Sequence, residues 1–189
     1  ILISGAWSAE LIDPYAKACG TNGVRAQVID LKETNPIGWE QDQSPKFSKE
    51  NKQTDAVIYE LHIRDASIHA NSGIQQKGKY LGLTQLGTKN SSGNSTGLSH
   101  IKELGVTHIH LLPFYDYNSV DETKSNQYNW GYDPVNYNIP EGSYSTNPAD
   151  GKVRIKELKE LIKTMHSNGL RIIMDVVYNH TALTANSNF

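Results

Sequence analysis

The alternation of hydrophobic and polar positions changes character near residue 56. Before it, residues 1–3 and 25–31 are the only strand candidates, separated by turn signals at Asp13-Pro14 and Thr21-Asn22-Gly23. Residues 34–53 are polar, with Asn35-Pro36 and Ser44-Pro45, and read as a connector between modules. In residues 56–63, Val57, Tyr59, Leu61 and Ile63 alternate with Ile58, Glu60 and His62, which predicts a first strand with polar groups near its far end. A Gly-, Ser- and Asn-rich excursion over 73–97 follows. Leu98, Ile101 and Leu104 then predict a short helix stopped by Gly105, and 106–112 a second strand ending at Pro113. Over 152–167, Ile155, Leu158, Leu161, Ile162 and Met165 fall on one helical face, with Gly169 as the stop. Residues 170–177 follow at once, apolar enough for a third strand buried on both faces of a parallel sheet.

Strand, helix, strand, helix, strand predicts an α/β fold with parallel pairing and right-handed crossovers. A doubly wound sheet and a (β/α)8 TIM barrel both begin this way. No Gly-x-Gly-x-x-Gly follows the first strand, so a dinucleotide fold lacks its usual signature. Three strands cannot close a barrel. Asp175 interrupts the third strand, and a carboxylate there loses water unless a cation or hydrogen-bond donor meets it. Asn179 and His180 follow where that strand runs out, the end at which parallel α/β proteins bind ligands.

The connection 113–150 is far longer than ordinary strand-to-helix loops. It holds Phe114, Tyr115, Tyr117, Tyr128, Trp130, Tyr132, Tyr137 and Tyr144, eight of the chain's sixteen aromatics. Such density argues against disorder. Aromatic faces beside Asp116, Asn129, Asp133 and Asn136 suit a sugar, whose C–H faces pack on rings while its hydroxyls need polar partners. The competing reading is a loop packed around its own small core.

Composition narrows the partners. A net charge of -2 gives no basic field for nucleic acid or an anionic membrane surface, so a neutral substrate fits better. No apolar run reaches transmembrane length and no basic segment precedes an apolar signal core; a soluble protein is expected, and whether it is cytoplasmic or secreted stays unknown. Cys19, the single cysteine, excludes an internal disulfide and a cysteine-based zinc site. The chain starts at Ile1 and has methionine only at Met165 and Met174, which reads as a piece of a longer protein.

Asp175-Val-Val-Tyr-Asn-His180 resembles the first diagnostic motif of the α-amylase superfamily of glycoside hydrolases, at the end of the third barrel strand. Tyr128-Asn-Trp-Gly-Tyr-Asp-Pro134 is similar to the seven-residue signature of type I pullulanases, which cut α-1,6 branch points in pullulan and related glucans. Tyr59-Glu-Leu-His-Ile-Arg-Asp65 and Gly78-Lys-Tyr-Leu-Gly-Leu83 resemble the first barrel strand and its loop, although Ala66 stands where the family usually has phenylalanine. Asp13-Pro-Tyr-Ala-Lys17 is similar to the end of the β-sandwich module that precedes the barrel. The resemblance implies a partial (β/α)8 barrel, strands one to three, over residues 51–189. Residues 1–50 would be the end of the β-rich module and a linker.

It further implies that Tyr132 stacks under the sugar at the cleavage subsite and that His180 bonds one of that sugar's hydroxyls. Asp175 would orient an arginine near the nucleophile, and Asp133, Trp130 and Asn129 would be subsite or supporting residues. Asn179 marks a position that supports calcium in many amylases, but the resemblance to pullulanases does not imply that the ion is retained, and no cofactor is expected. The expected partners are an α-glucan such as pullulan, amylopectin or limit dextrins, and the remainder of the same polypeptide. The carboxylate nucleophile and acid/base of retaining hydrolysis belong to strands four and five, which the chain lacks, so the fragment alone is expected to be inactive.

Other readings compete: an isoamylase- or amylase-type hydrolase, or a non-catalytic glucan-binding paralogue. His108 and His110 share one face of the second strand and His62 lies near the end of the first, which admits a metal-dependent TIM-barrel amidohydrolase, although the pair sits mid-strand, where core or hydrogen-bonded histidines are the competing reading. The Lys and Glu residues of 152–163 read as a solvated helix face.

Overall fold

The computed structural model describes residues 2–3, 5–7, 11–47 and 52–184. In chain order its regular elements are β1 (Leu2–Ile3), β2 (Ala6–Trp7), β3 (Ile58–Leu61), α1 (Gly97–Glu103), β4 (His108–Leu111), β5 (Tyr115–Tyr117), β6 (Pro134–Pro140), α2 (Gly151–Ser167) and β7 (Arg171–Met174). β1 and β2 form a short antiparallel pair, and Ile1 lies outside the described residues. The strand expected at 25–31 is not formed. Only Ala26 makes a bridge, to Cys19, before the chain enters a 3-10 turn at Leu31–Thr34 capped by the Asp30 side chain.

β3, β4 and β7 make one parallel sheet in that order, with Ile58, His108 and Arg171 in register at one end and Leu61, Leu111 and Met174 at the other. α1 lies in the first crossover and α2 in the second, as the apolar spacing predicts. Leu98 and Ile101 of α1 and Leu161 and Met165 of α2 pack into the same core as Ile109 and Leu111 of the central strand. α2 starts where the Asp150 side chain accepts the Lys152 N–H (2.9 Å). It ends in a Schellman motif: Leu170 N–H bonds the Met165 carbonyl and Gly169 N–H the His166 carbonyl, both at 3.0 Å. Gly169 takes φ +82°, the conformation that turns the chain directly into β7.

The third strand is shorter and wetter than expected. Ile109 and Leu111 of β4 are fully buried, whereas Ile172 and Ile173 are half-buried and Met174 and Val176 exposed. β7 sits at an edge of the three-stranded sheet, so a pattern suited to burial on both faces is only partly covered.

The long connection is folded, with β5 and β6 antiparallel, Tyr115 opposite Pro140 and Tyr117 opposite Pro134. Phe114, Tyr115, Tyr117 and Tyr144 are buried while Tyr128, Trp130 and Tyr132 are exposed, so the loop has both a core of its own and free rings. Asp116 and Asn136 are buried and bonded to each other (2.7 Å), which removes them from any sugar.

Nor is α2's charged surface simply solvated. Arg154 is wholly buried and donates to Asp116 (3.3 Å), Glu122 (2.6 Å) and the carbonyls of Gly20, Pro140 and Pro148. Lys159 reaches Thr34 and Asn35, Lys163 the Ile37 carbonyl, and His166 the Asp42 carboxylate. The polar N-terminal stretch supplies oxygen partners for these side chains, which periodicity alone does not reveal. Among the described residues no helix is long and apolar enough to cross a membrane.

Candidate active site

Three segments meet at the C-terminal end of the sheet: the exit of β3, the stretch 128–134 and the exit of β7. His62, two residues beyond Glu60 and on the same face, anchors the first to the second. Its Nδ1 faces the backbone N–H groups of Arg64 (3.1 Å) and Asp65 (3.3 Å), which puts the ring proton on Nε2. Nε2 then donates to the Asn129 carbonyl (2.8 Å). The Tyr144 hydroxyl lies 3.1 Å from the same nitrogen, and the Tyr128 ring tilts over the imidazole at 5.2 Å.

Within the stretch, the Asn129 amide donates to Asp133 (2.8 Å) and the Asn118 carbonyl (2.9 Å), while its oxygen accepts the Gly131 N–H (2.9 Å). Gly131 has φ +90°, and a Cβ there would sit 2.7 Å from the Pro113 carbonyl oxygen. The turn thrusts its flanking rings outward. Trp130 is 59% exposed, with its indole N–H on the Tyr128 hydroxyl, and Tyr132 is 37% exposed.

Tyr132 is tied to the exit of β7 twice. Its hydroxyl donates to Asp175 Oδ2 (2.7 Å), and its carbonyl accepts from His180 Nε2 (2.7 Å). Burial first, and the Asp175 carboxylate second, push the phenol up to about 12, so it remains a donor at neutral pH. Asp175 is thereby met by a donor, and its own N–H extends the ladder to the Leu111 carbonyl (3.1 Å). Two tyrosines that the motifs did not single out complete the frame. The Tyr115 hydroxyl accepts the Val177 N–H (3.0 Å), and the Tyr137 hydroxyl donates to the His180 carbonyl (2.7 Å). Their only sequence signal was membership of the aromatic-rich stretch.

The structure therefore brings Tyr132, Asp175 and His180 together, with Asn129 and Asp133 bonded to each other beside them and Trp130 exposed on the same turn. Asn179 is exposed and offers one amide oxygen, whereas calcium takes about six to eight oxygen ligands. The carboxylates that do cluster among the described residues are Asp116, Glu122 and Glu141, and Arg154 faces that group. The three histidines of the amidohydrolase reading are separately engaged. His62 holds Asn129, His108 lies 2.8 Å from the Thr107 hydroxyl and edge-on to Phe47, and His110 lies between Glu60 and Asp175.

The chain has similar counterparts among known proteins. The chain is 49% identical over 184 residues to the pullulanase of Bacillus subtilis, covering 95% of this chain and 24% of that protein. It superposes with TM-score 0.88 and 59% identity on the pullulanase of Paenibacillus barengoltzii solved with maltohexaose and α-cyclodextrin, covering 91% of this chain and 27% of that one. The pullulanase of Anoxybacillus sp. LM18-11 solved with maltotetraose gives TM-score 0.90 and 48% identity over the whole of this chain and 27% of that one. The chain thus spans about a quarter of the length of the relatives it matches. The family model of the α-amylase catalytic domain, an α/β fold of the TIM-barrel type, matches residues 85–188, which run from before α1 through the 128–134 turn to beyond His180. Both the match and the geometry fall on the elements that carry Tyr132, Asp175 and His180, and the chain belongs to the α-amylase catalytic-domain family.

Proposed function

We propose that this chain is the first part of the catalytic (β/α)8 barrel of a type I pullulanase-like enzyme that hydrolyses α-1,6-glucosidic bonds of an α-glucan with retention. In this reading β3, β4 and β7 are barrel strands one to three, residues 51–189 belong to the barrel, and residues 1–50 are the end of a β-sandwich module and its linker. The observation that carries the reading is the double attachment of Tyr132 to Asp175 and His180, which holds an exposed ring at the mouth of the sheet. The Tyr132 face packs on a glucose ring. His180, with Nε2 committed to the Tyr132 carbonyl, keeps Nδ1 as an acceptor for a sugar hydroxyl. Trp130 offers a second platform, and Asn129 and Asp133 hold the turn on which both rings stand. The maltohexaose and maltotetraose in the two solved relatives support an α-glucan as the ligand class.

The nucleophile and the acid/base, about 5 Å apart in retaining enzymes, come from the rest of the polypeptide, so this chain supplies binding and orientation. The test is hydrolysis of pullulan and α-1,6-branched dextrins by the full-length protein, with the first-formed anomer followed by NMR. Cleavage giving the α anomer is expected. Glucan binding without cleavage would instead mark a non-catalytic paralogue, and an initial β anomer would overturn retention.

A further inference from the structure

The histidine pair of β4 remains to be explained, and His110 has a place in the geometry. Glu60, His110 and Ile173 are in register across β3, β4 and β7. Asp175, two residues beyond Ile173, points to the same face, because side chains alternate along a strand. His110 consequently stands between two carboxylates on neighbouring strands. Its Nδ1 lies 3.5 Å from Glu60 Oε2 and its Nε2 lies 3.7 Å from Asp175 Oδ2. That second oxygen is the one that accepts the Tyr132 hydroxyl at 2.7 Å. Phenol and imidazole therefore address one carboxylate oxygen, the phenol from the turn and the imidazole from the centre of the sheet. Both His110 contacts are longer than formed hydrogen bonds, so the imidazole acts on the carboxylates by proximity and packing.

We propose that His110 is a positioning residue of this site: it holds the Asp175 carboxylate from the central strand so that Oδ2 faces Tyr132, while Glu60 on the opposite ring nitrogen sets the orientation of the imidazole. The physical need is clear from Asp175 itself, whose side chain is 21% exposed and would otherwise have the single Tyr132 hydroxyl to offset its lost hydration. A carboxylate held from one side swings, and the ring bonded to it swings too. This role rests on the reading of Tyr132 and Asp175 as sugar-site groups, and it accounts for the second histidine of His108-Ile-His110 without a metal.

The experiment uses the full-length protein with His110→Ala and His110→Gln, each made alone and in the Tyr132→Phe background. His110→Ala is expected to lower kcat/KM on pullulan about tenfold, chiefly through kcat, with His110→Gln recovering most of the loss through its amide N–H. Once Tyr132→Phe has removed the bond to Asp175, His110→Ala should cost less than about twofold more, the non-additivity of residues acting through one contact. An equal loss in both backgrounds, or activity within about twofold of the parent, overturns the proposal. A crystal structure of the His110→Ala protein reads the positioning without reference to activity: the Tyr132 hydroxyl should leave Asp175. Its staying at hydrogen-bond distance refutes the idea even if the parent proves inactive on pullulan, an outcome that would count against the proposed function alone.

Discussion

At the scale of single residues, Tyr132 carries the most. Its ring is exposed while its hydroxyl and carbonyl are both bonded to the exit of β7, so the side chain combines a free apolar face with a fixed orientation. If the ring binds sugar as proposed, fixing it beforehand would remove an entropic cost from the transition state. Tyr132→Ala or His180→Ala in the full-length protein should each lower kcat/KM on pullulan by at least about a hundredfold, as loss of transition-state contacts does. Rates near normal in both would take the pair out of the site. Gly131 acts one step away. A methyl group there meets the Pro113 carbonyl oxygen at 2.7 Å and the Tyr117 ring at 3.1 Å, at a φ of +90° that L residues rarely adopt. Gly131→Ala is expected to cost at least about 1 kcal/mol in denaturant unfolding and to displace Tyr132. An unchanged midpoint would show that the turn has room to give.

At the scale of elements, the joint that matters lies between the β5–β6 hairpin and α2. Arg154 enters it fully buried and meets Asp116 and Glu122, with Glu141 close by. Arg154→Ala strands buried carboxylates without their cation, a loss of about 3–5 kcal/mol. Thermal unfolding reads it, and a change under about 1 kcal/mol would mean that water replaces the guanidinium. Three carboxylates around one guanidinium also raise one another's affinity for a proton. Burial, followed by the charges of Asp116 and Glu122, pushes Glu141 up to about 8 from an ordinary 4.5, and burial pushes Asp116 up to about 6. Between the unfolded and folded values the native state binds more protons than the unfolded chain, so its stability falls as pH rises. The melting temperature should therefore decline from about pH 5 to pH 8, and Glu141→Gln should flatten that decline; an equal slope in the variant would place the proton elsewhere.

At the scale of the whole molecule, the parallel sheet ends on β3 at one edge and on β7 at the other among the described residues. Val57, Ile58 and Tyr59 on one side and Met174 and Val176 on the other are exposed, and among the described residues no further strand pairs with β3 or β7. The 189-residue chain by itself is expected to self-associate, with a native mass above its 21.0 kDa. Native mass spectrometry decides this, because a monomer at micromolar concentration would mean that these edges are protected in solution.

What the sequence determined by itself follows from local periodicity and local chemistry. The spacing of Ile155, Leu158, Leu161 and Met165 makes α2, the alternation before Ile63 and the apolar runs at 106–112 and 170–177 make the parallel strands, and Gly105 and Gly169 end the helices. The two motifs pointed to the candidate site through their resemblance to a known family, and Asp175 did so also through the cost of placing a carboxylate in an apolar strand. Tertiary structure alone decided which rings of that stretch are core and which are free, since Tyr128 and Tyr117 are equivalent in composition but have different neighbours. It also turned a helix face that reads as solvated into one pinned by Arg154, Lys159 and Lys163. Tyr132 and Asp175 stand 43 residues apart and meet at 2.7 Å. A linear pattern records what each residue tends to do with its near neighbours, whereas a hydrogen bond across that span exists only once the register of β4 and β7 and the fold of the hairpin have set both ends.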